Sequence, residues 1–192
     1  MKNQKIIGGI CIIVAIVIIA VAGILLLSNK NDDSTTNSPD TSVSQENPDA
    51  KCTIIEAMQQ ISPTNTQAEI TEIVGFEPTT DAMIGSDPIW KFDSKNWISY
   101  KVSGDSVTIQ ATIDKDLLKN DNITLPSSSD LQKDLNNGSF TYEELAEKVG
   151  GAGTLTSISK GSKSYTWVDK HGQKLGATFN NESGKCTVAS YR

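Results

Sequence analysis

The chain has 192 residues, 17 basic and 23 acidic side chains, one histidine and three cysteines, with a formal net charge of −6. An acidic chain without a basic cluster is not built to neutralise phosphates, which argues against a dedicated nucleic-acid binder. So few histidines and cysteines give no set with metal-ligand spacing, so neither a metal nor another cofactor is expected.

Residues 1–5 read as a short cytoplasmic tail. Ile6 to Leu27 follows as 22 residues without a charge, long enough as a helix to span a hydrocarbon core of ~30 Å. Lys2 and Lys5 precede it, so positive charge places the tail in the cytoplasm and the C-terminal part outside, a single-pass cell-membrane protein. The alternative is a cleaved, secreted form, because Ala20-Val21-Ala22 has the small-x-small shape of a cleavage site. The apolar run continues past that site, which favours an anchor. Residues 28–51 are rich in Ser, Thr, Asn, Asp and Pro, a composition that cannot offset its own ordering entropy. They read as a disordered linker.

The remainder contains one pattern twice. Thr66-x-x-Glu69 and Thr141-x-x-Glu144 each match a capping box, and they stand at the same offset as the helix-ending glycines Gly75 and Gly150. Ile70, Ile73 and Val74 mark the apolar face of one helix, Leu145 and Val149 that of the other. A shorter helical pattern precedes each, Ile54, Met58 and Ile61 in one copy, Leu131 and Leu135 in the other. Downstream the period becomes two. Ile98, Tyr100 and Val102 alternate with polar residues, as do Val107, Ile109, Ala111 and Ile113 after the Ser103-Gly104-Asp105-Ser106 turn. Tyr165 to Asp169, then Leu175, Ala177 and Phe179, then 185–191 make the corresponding strands. The fold class expected is α+β: an N-terminal transmembrane helix, a disordered tether, and two tandem helix-helix-antiparallel-sheet repeats. The repeats fall at 52–115 and 130–192, with 116–129 as the linker between them.

The capped Thr-x-x-Glu-Leu helix ending in glycine, the run Val149-Gly150-Gly151-Ala152-Gly153-Thr154-Leu155 and the strand Tyr165-Thr166-Trp167 resemble the β-lactamase-inhibitor-protein-like fold, shared with small lipoproteins of β-barrel assembly. The likeness covers 52–192 as architecture. It implies protein binding or envelope assembly and no catalytic activity.

The residues give no credible enzyme. His171 lies in the polar run Asp169-Lys170-His171-Gly172-Gln173, a hairpin tip with nothing to shield a base. Glu143, Glu144 and Glu147 suit a helix N-terminus without any catalytic role. Cys52 and Cys186 both fall in the part placed outside, where a disulfide between them can persist; separate free thiols are the alternative. If Ile98, Tyr100 and Val102 face the helices, Trp97 and Lys101 face the open side of the sheet, with Gln110 of the neighbouring strand. Those three are the candidate binding residues, since aromatics with nearby cations suit protein contacts. The function expected is a membrane-anchored, extracytoplasmic module that presents an open sheet face to a protein or cell-envelope partner. The alternatives are a cell-envelope enzyme with a cleft between the repeats, or a cleaved, secreted inhibitor-like protein.

Overall fold

In the computed structural model, which describes residues 47–81, 85–126, 131, 133–135, 137–138 and 140–192, the Thr-x-x-Glu signals open helices. In α2 (Gln67–Val74) the Thr66 hydroxyl accepts the Glu69 N–H, and the Glu69 carboxylate accepts the Thr66 N–H at 2.7 Å. In α4 (Tyr142–Val149) Thr141 and Glu144 do the same. A third box, Thr53 with Glu56, opens α1 (Ile54–Gln60). Gly75 and Gly150 close α2 and α4 at φ 96° and 86°, a left-handed turn in which glycine carries no Cβ penalty. Leu131 and residues 133–135 are also helical, and Leu131 and Leu135 are buried.

The strands are β1 (Thr79–Asp81), β2 (Gly85–Lys91), β3 (Trp97–Ser103), β4 (Ser106–Thr112), β5 (Thr154–Ser159), β6 (Ser162–Val168), β7 (Lys174–Asn180) and β8 (Cys186–Tyr191). They form one eight-stranded antiparallel sheet in chain order. This corrects the expected pair of tandem helix-helix-sheet repeats behind a transmembrane helix. The seam is β4 on β5, with Thr108 opposite Ser159, Ile109 opposite Ile158 and Gln110 opposite Ser157. Two separate sheets would each leave a long apolar edge strand here, and pairing them removes both edges.

The expected tail 1–5, membrane span 6–27 and most of linker 28–51 lie outside the described residues. Among the described residues no helix is long and apolar enough to cross a membrane. The single-pass placement with the domain outside is corrected on that finding.

One side of the sheet is packed by helices in two clusters. Ile54, Met58, Ile70 and Val74 meet Trp90, Ile98 and Ile109, and Ile158 of β5 joins them across the seam. Leu145, Val149 and Leu135 meet Trp167, Leu175 and Phe179. Both buried indoles are satisfied. Trp90 Nε1–H donates to the Thr71 hydroxyl at 3.1 Å, and Trp167 Nε1–H to the Gly151 carbonyl at 2.9 Å. Between the halves, α3 (Lys115–Leu118) packs on β6. Ile123 and Leu125 beyond it enter the second cluster.

The expected Cys52–Cys186 disulfide is absent; both are free thiols. Both lie on the helical side, but at different places along the sheet. Cys52 packs against the first cluster, its Sγ 3.6 Å from the Ile73 carbonyl oxygen. Cys186 belongs to the second, on the outermost strand. One further expectation of burial fails. Val102, next to the turn that joins β3 to β4, is 57% exposed. Val188 is 60% exposed although Cys186, two residues before it, is buried. A register shift at Thr178/Phe179 pairs Cys186 with Phe179 but Val188 with Thr178, which puts the two side chains on opposite faces.

Candidate functional site: the open face of the sheet

Register assigns the side turned away from the helices. Trp90, Ile98 and Ala111 share one face and pack in the helical core. The residues between them therefore point the other way: Ile89 and Lys91 on β2, Trp97, Ser99 and Lys101 on β3, Thr108, Gln110 and Thr112 on β4. The face continues across the seam through Ser157 and Ser159, then Ser164 and Thr166, then Thr178 and Gly176, and ends on Val188 and Ser190. All three sequence-predicted residues fall on it. Lys101 and Gln110 are exposed and Trp97 is partly buried.

Beyond the seam the face is built almost wholly of short hydroxyl side chains. Ser164 and Thr178 hydroxyls lie 2.8 Å apart, those of Ser159 and Ser162 3.1 Å, and those of Thr156 and Thr166 3.4 Å. Cross-strand bonds of this kind satisfy the hydroxyls among themselves.

A depression of about 400 Å³ lies on this face at the junction of β4, β5 and β6. Its floor carries Thr156, Ser164 and Thr166, and Gln110, Lys174 and Leu118 stand around it. Two local features shape it. A bulge at Leu155/Ser157 displaces Thr156, whose hydroxyl donates to the Ser164 carbonyl at 3.3 Å. On the other side α3 brings Leu118 against the end of β6, where Lys119 bridges to Val168. Trp97 is the direct cross-strand neighbour of Thr112, which also lines the depression. Gln110 is thus the predicted residue that the structure puts at the depression, Trp97 borders it, and Lys101 stands further along the face.

Lys174, Thr156, Ser164, Thr166 and Leu118 were not picked out from the sequence. Serines and threonines in strands carry no distinctive signal, and Leu118 falls in the stretch read as an inter-repeat linker. Lys174 could have been found by extending the alternation of Leu175, Ala177 and Phe179 one residue back.

A second depression of about 400 Å³ opens beside the start of α1, among Cys52, Ile54, Phe92, Asn96 and Leu117. Its polar groups are occupied by the fold. Asn96 donates to Asp93 at 2.6 Å and accepts the Asp114 N–H at 2.7 Å, while Thr53 and Glu56 cap each other. Burial, and secondarily the Glu56 carboxylate, push the Cys52 thiol up, so it is not an activated nucleophile. His171 is exposed in the β6–β7 turn, where its backbone N–H donates to Asp169. Among the described residues no group of three His, Cys, Asp or Glu side chains could hold a metal ion.

Comparison with protein-family models, curated proteins and solved structures finds no match to this chain.

Proposed function

We propose that this chain is a protein-binding module whose docking surface is the open face of the sheet, from Trp97 on β3 to Val188 on β8. The observation that carries the reading is the asymmetry of the two faces: helices cover one side, while the other presents hydroxyls, a partly buried tryptophan and a shallow depression. An exposed sheet surface with a tryptophan among its outward side chains suits a protein surface better than a small substrate, which needs deeper enclosure. The resemblance to the β-lactamase-inhibitor-protein-like fold, whose members bind proteins, points the same way.

A photo-cross-linkable residue at Gln110 tests this, with the same probe at Glu147 on α4 as the control. Gln110 should yield a discrete adduct in cells producing the full chain, and Glu147 should not. Adducts of equal yield at both positions, or at Glu147 alone, contradict the assignment.

A further inference from the structure

We infer that the partner of the open face presents an acidic surface, with carboxylate side chains that meet Lys101 and Lys174. The inference rests on the docking-face reading and adds the chemistry of the partner.

The argument is the distribution of charge between the two layers. The chain is acidic overall at −6, yet the acid is not spread evenly. Helix α1 carries one glutamate, α2 two and α4 three, against Lys148 of α4, and the helical residues before α4 add Lys133 and Asp134. Strands β3 to β8 contain no aspartate or glutamate, and their charged residues are Lys101, Lys163 and Lys174; the acids of the sheet, Asp81 and Asp87, are confined to β1 and β2. Register puts Lys101 and Lys174 on the open face and pairs Lys174 with Arg192 at the end of β8, whereas Lys163 lies opposite Ile158 on the other side.

Of the open-face lysines, Lys91 is held by Asp81 of β1, whereas Lys101 and Lys174 take part in no ion pair among the described residues. The ion pairs among the described residues are Lys91–Asp81, Lys95–Asp114 and Lys119–Asp116. Beside Lys174 the depression supplies the Gln110 amide, while its Thr156, Ser164 and Thr166 hydroxyls bond within the sheet. An amide and an ammonium together suit a carboxylate oxygen, which accepts only. The glutamates of the helical layer repel the same partner from the wrong side, so the molecule's own charge asymmetry orients the approach.

The test uses the full chain and fluorescein-labelled poly-L-glutamate, read by anisotropy. The wild type should bind, more weakly as salt rises. Lys101→Glu with Lys174→Glu should lower affinity by roughly tenfold, the scale expected when two exposed charge pairs turn repulsive. Lys133→Glu with Lys148→Glu makes the same change in net charge on the helical layer and should alter affinity by less than about twofold. Circular dichroism confirms that both variants are folded. Absence of poly-L-glutamate binding, or an equal loss in both variants, overturns the inference. Preference for poly-L-lysine also overturns it but leaves the docking face standing, which the Gln110 cross-link decides separately. Concentration-dependent self-association abolished by the Lys101/Lys174 change would make the occupant the acidic helical layer of a second copy, and would replace an unrelated partner.

Discussion

Replacing Trp97 by alanine separates the two layers energetically. Trp97 faces away from the helical core, is partly buried, and is flanked on its strand neighbours by Lys91 and Thr112. Ile89 lies diagonally across from it on the same face, fully buried and outside both helical clusters. The diagonal of an antiparallel pair is within reach of an indole, so the ring contributes some cover to the sheet as well as a contact surface. With about 100 Å² of the ring shielded, at ~25 cal/mol per Å², removal costs at most about 2.5 kcal/mol, and about 1.5–2.2 after allowing for residual burial in the unfolded chain. Trp90→Ala and Trp167→Ala empty fully buried sites and should cost about 3–5 kcal/mol. Urea denaturation followed by far-ultraviolet circular dichroism measures all three. A loss at Trp97 equal to or larger than that at Trp90 or Trp167 would show that Trp97 is core and that the register assigning the open face is wrong. Affinity for poly-L-glutamate should fall about threefold to tenfold in Trp97→Ala if the ring borders the contact.

Gly153→Ala should destabilise by about 1–3 kcal/mol, because the added Cβ would lie 2.5 Å from the Trp167 ring; a neutral result in the same denaturation assay contradicts the packing. Cys52 and Cys186 should both alkylate after denaturation without reductant, and Cys186, the more buried, should react more slowly in the native state; a linked Cys52–Cys186 peptide in mass spectrometry would refute this. Backbone N–H groups of Thr53 and Thr66 hold the Glu56 and Glu69 carboxylates below their ordinary range, and a hydrogen bond from Lys95 does the same for Asp114. A depressed folded-state pKa stabilises above the unfolded value and is lost as pH falls through the folded one, so the Tm should hold to about pH 4 and drop below it. A Tm that rises on acidification contradicts those bonds.

The helix starts were legible because capping is local. Thr66 and Glu69 are three residues apart, and the chemistry that joins them needs no knowledge of the rest of the chain. The outward direction of Trp97 was legible for a similar reason, since Ile98 and Tyr100, which follow it in the strand, fix the pleat. The β4–β5 seam was not, because Gln110 and Ser157 meet only after the intervening chain has packed, and nothing in either strand marks the other as its partner. Periodicity failed where register shifts. The shift at Thr178/Phe179 turned Val188 away from the face that Cys186 shares with the core, and the bulge at Leu155/Ser157 made the depression. The disulfide failed on distance, which spacing and parity do not contain. The charge asymmetry was open to counting once strand and helix bounds were known, but a chain-wide net charge hides it.

The docking face exists only if the two halves share one sheet, so the most direct measurement is the set of cross-strand nuclear Overhauser contacts between β4 and β5. The account predicts contacts for Thr108 with Ser159, Ile109 with Ile158 and Gln110 with Ser157, at intensities matching the β3–β4 and β6–β7 pairs. Strong contacts within β1–β4 and within β5–β8 but none between Ile109 and Ile158 would mean two separate sheets, and would contradict the single face on which the function rests.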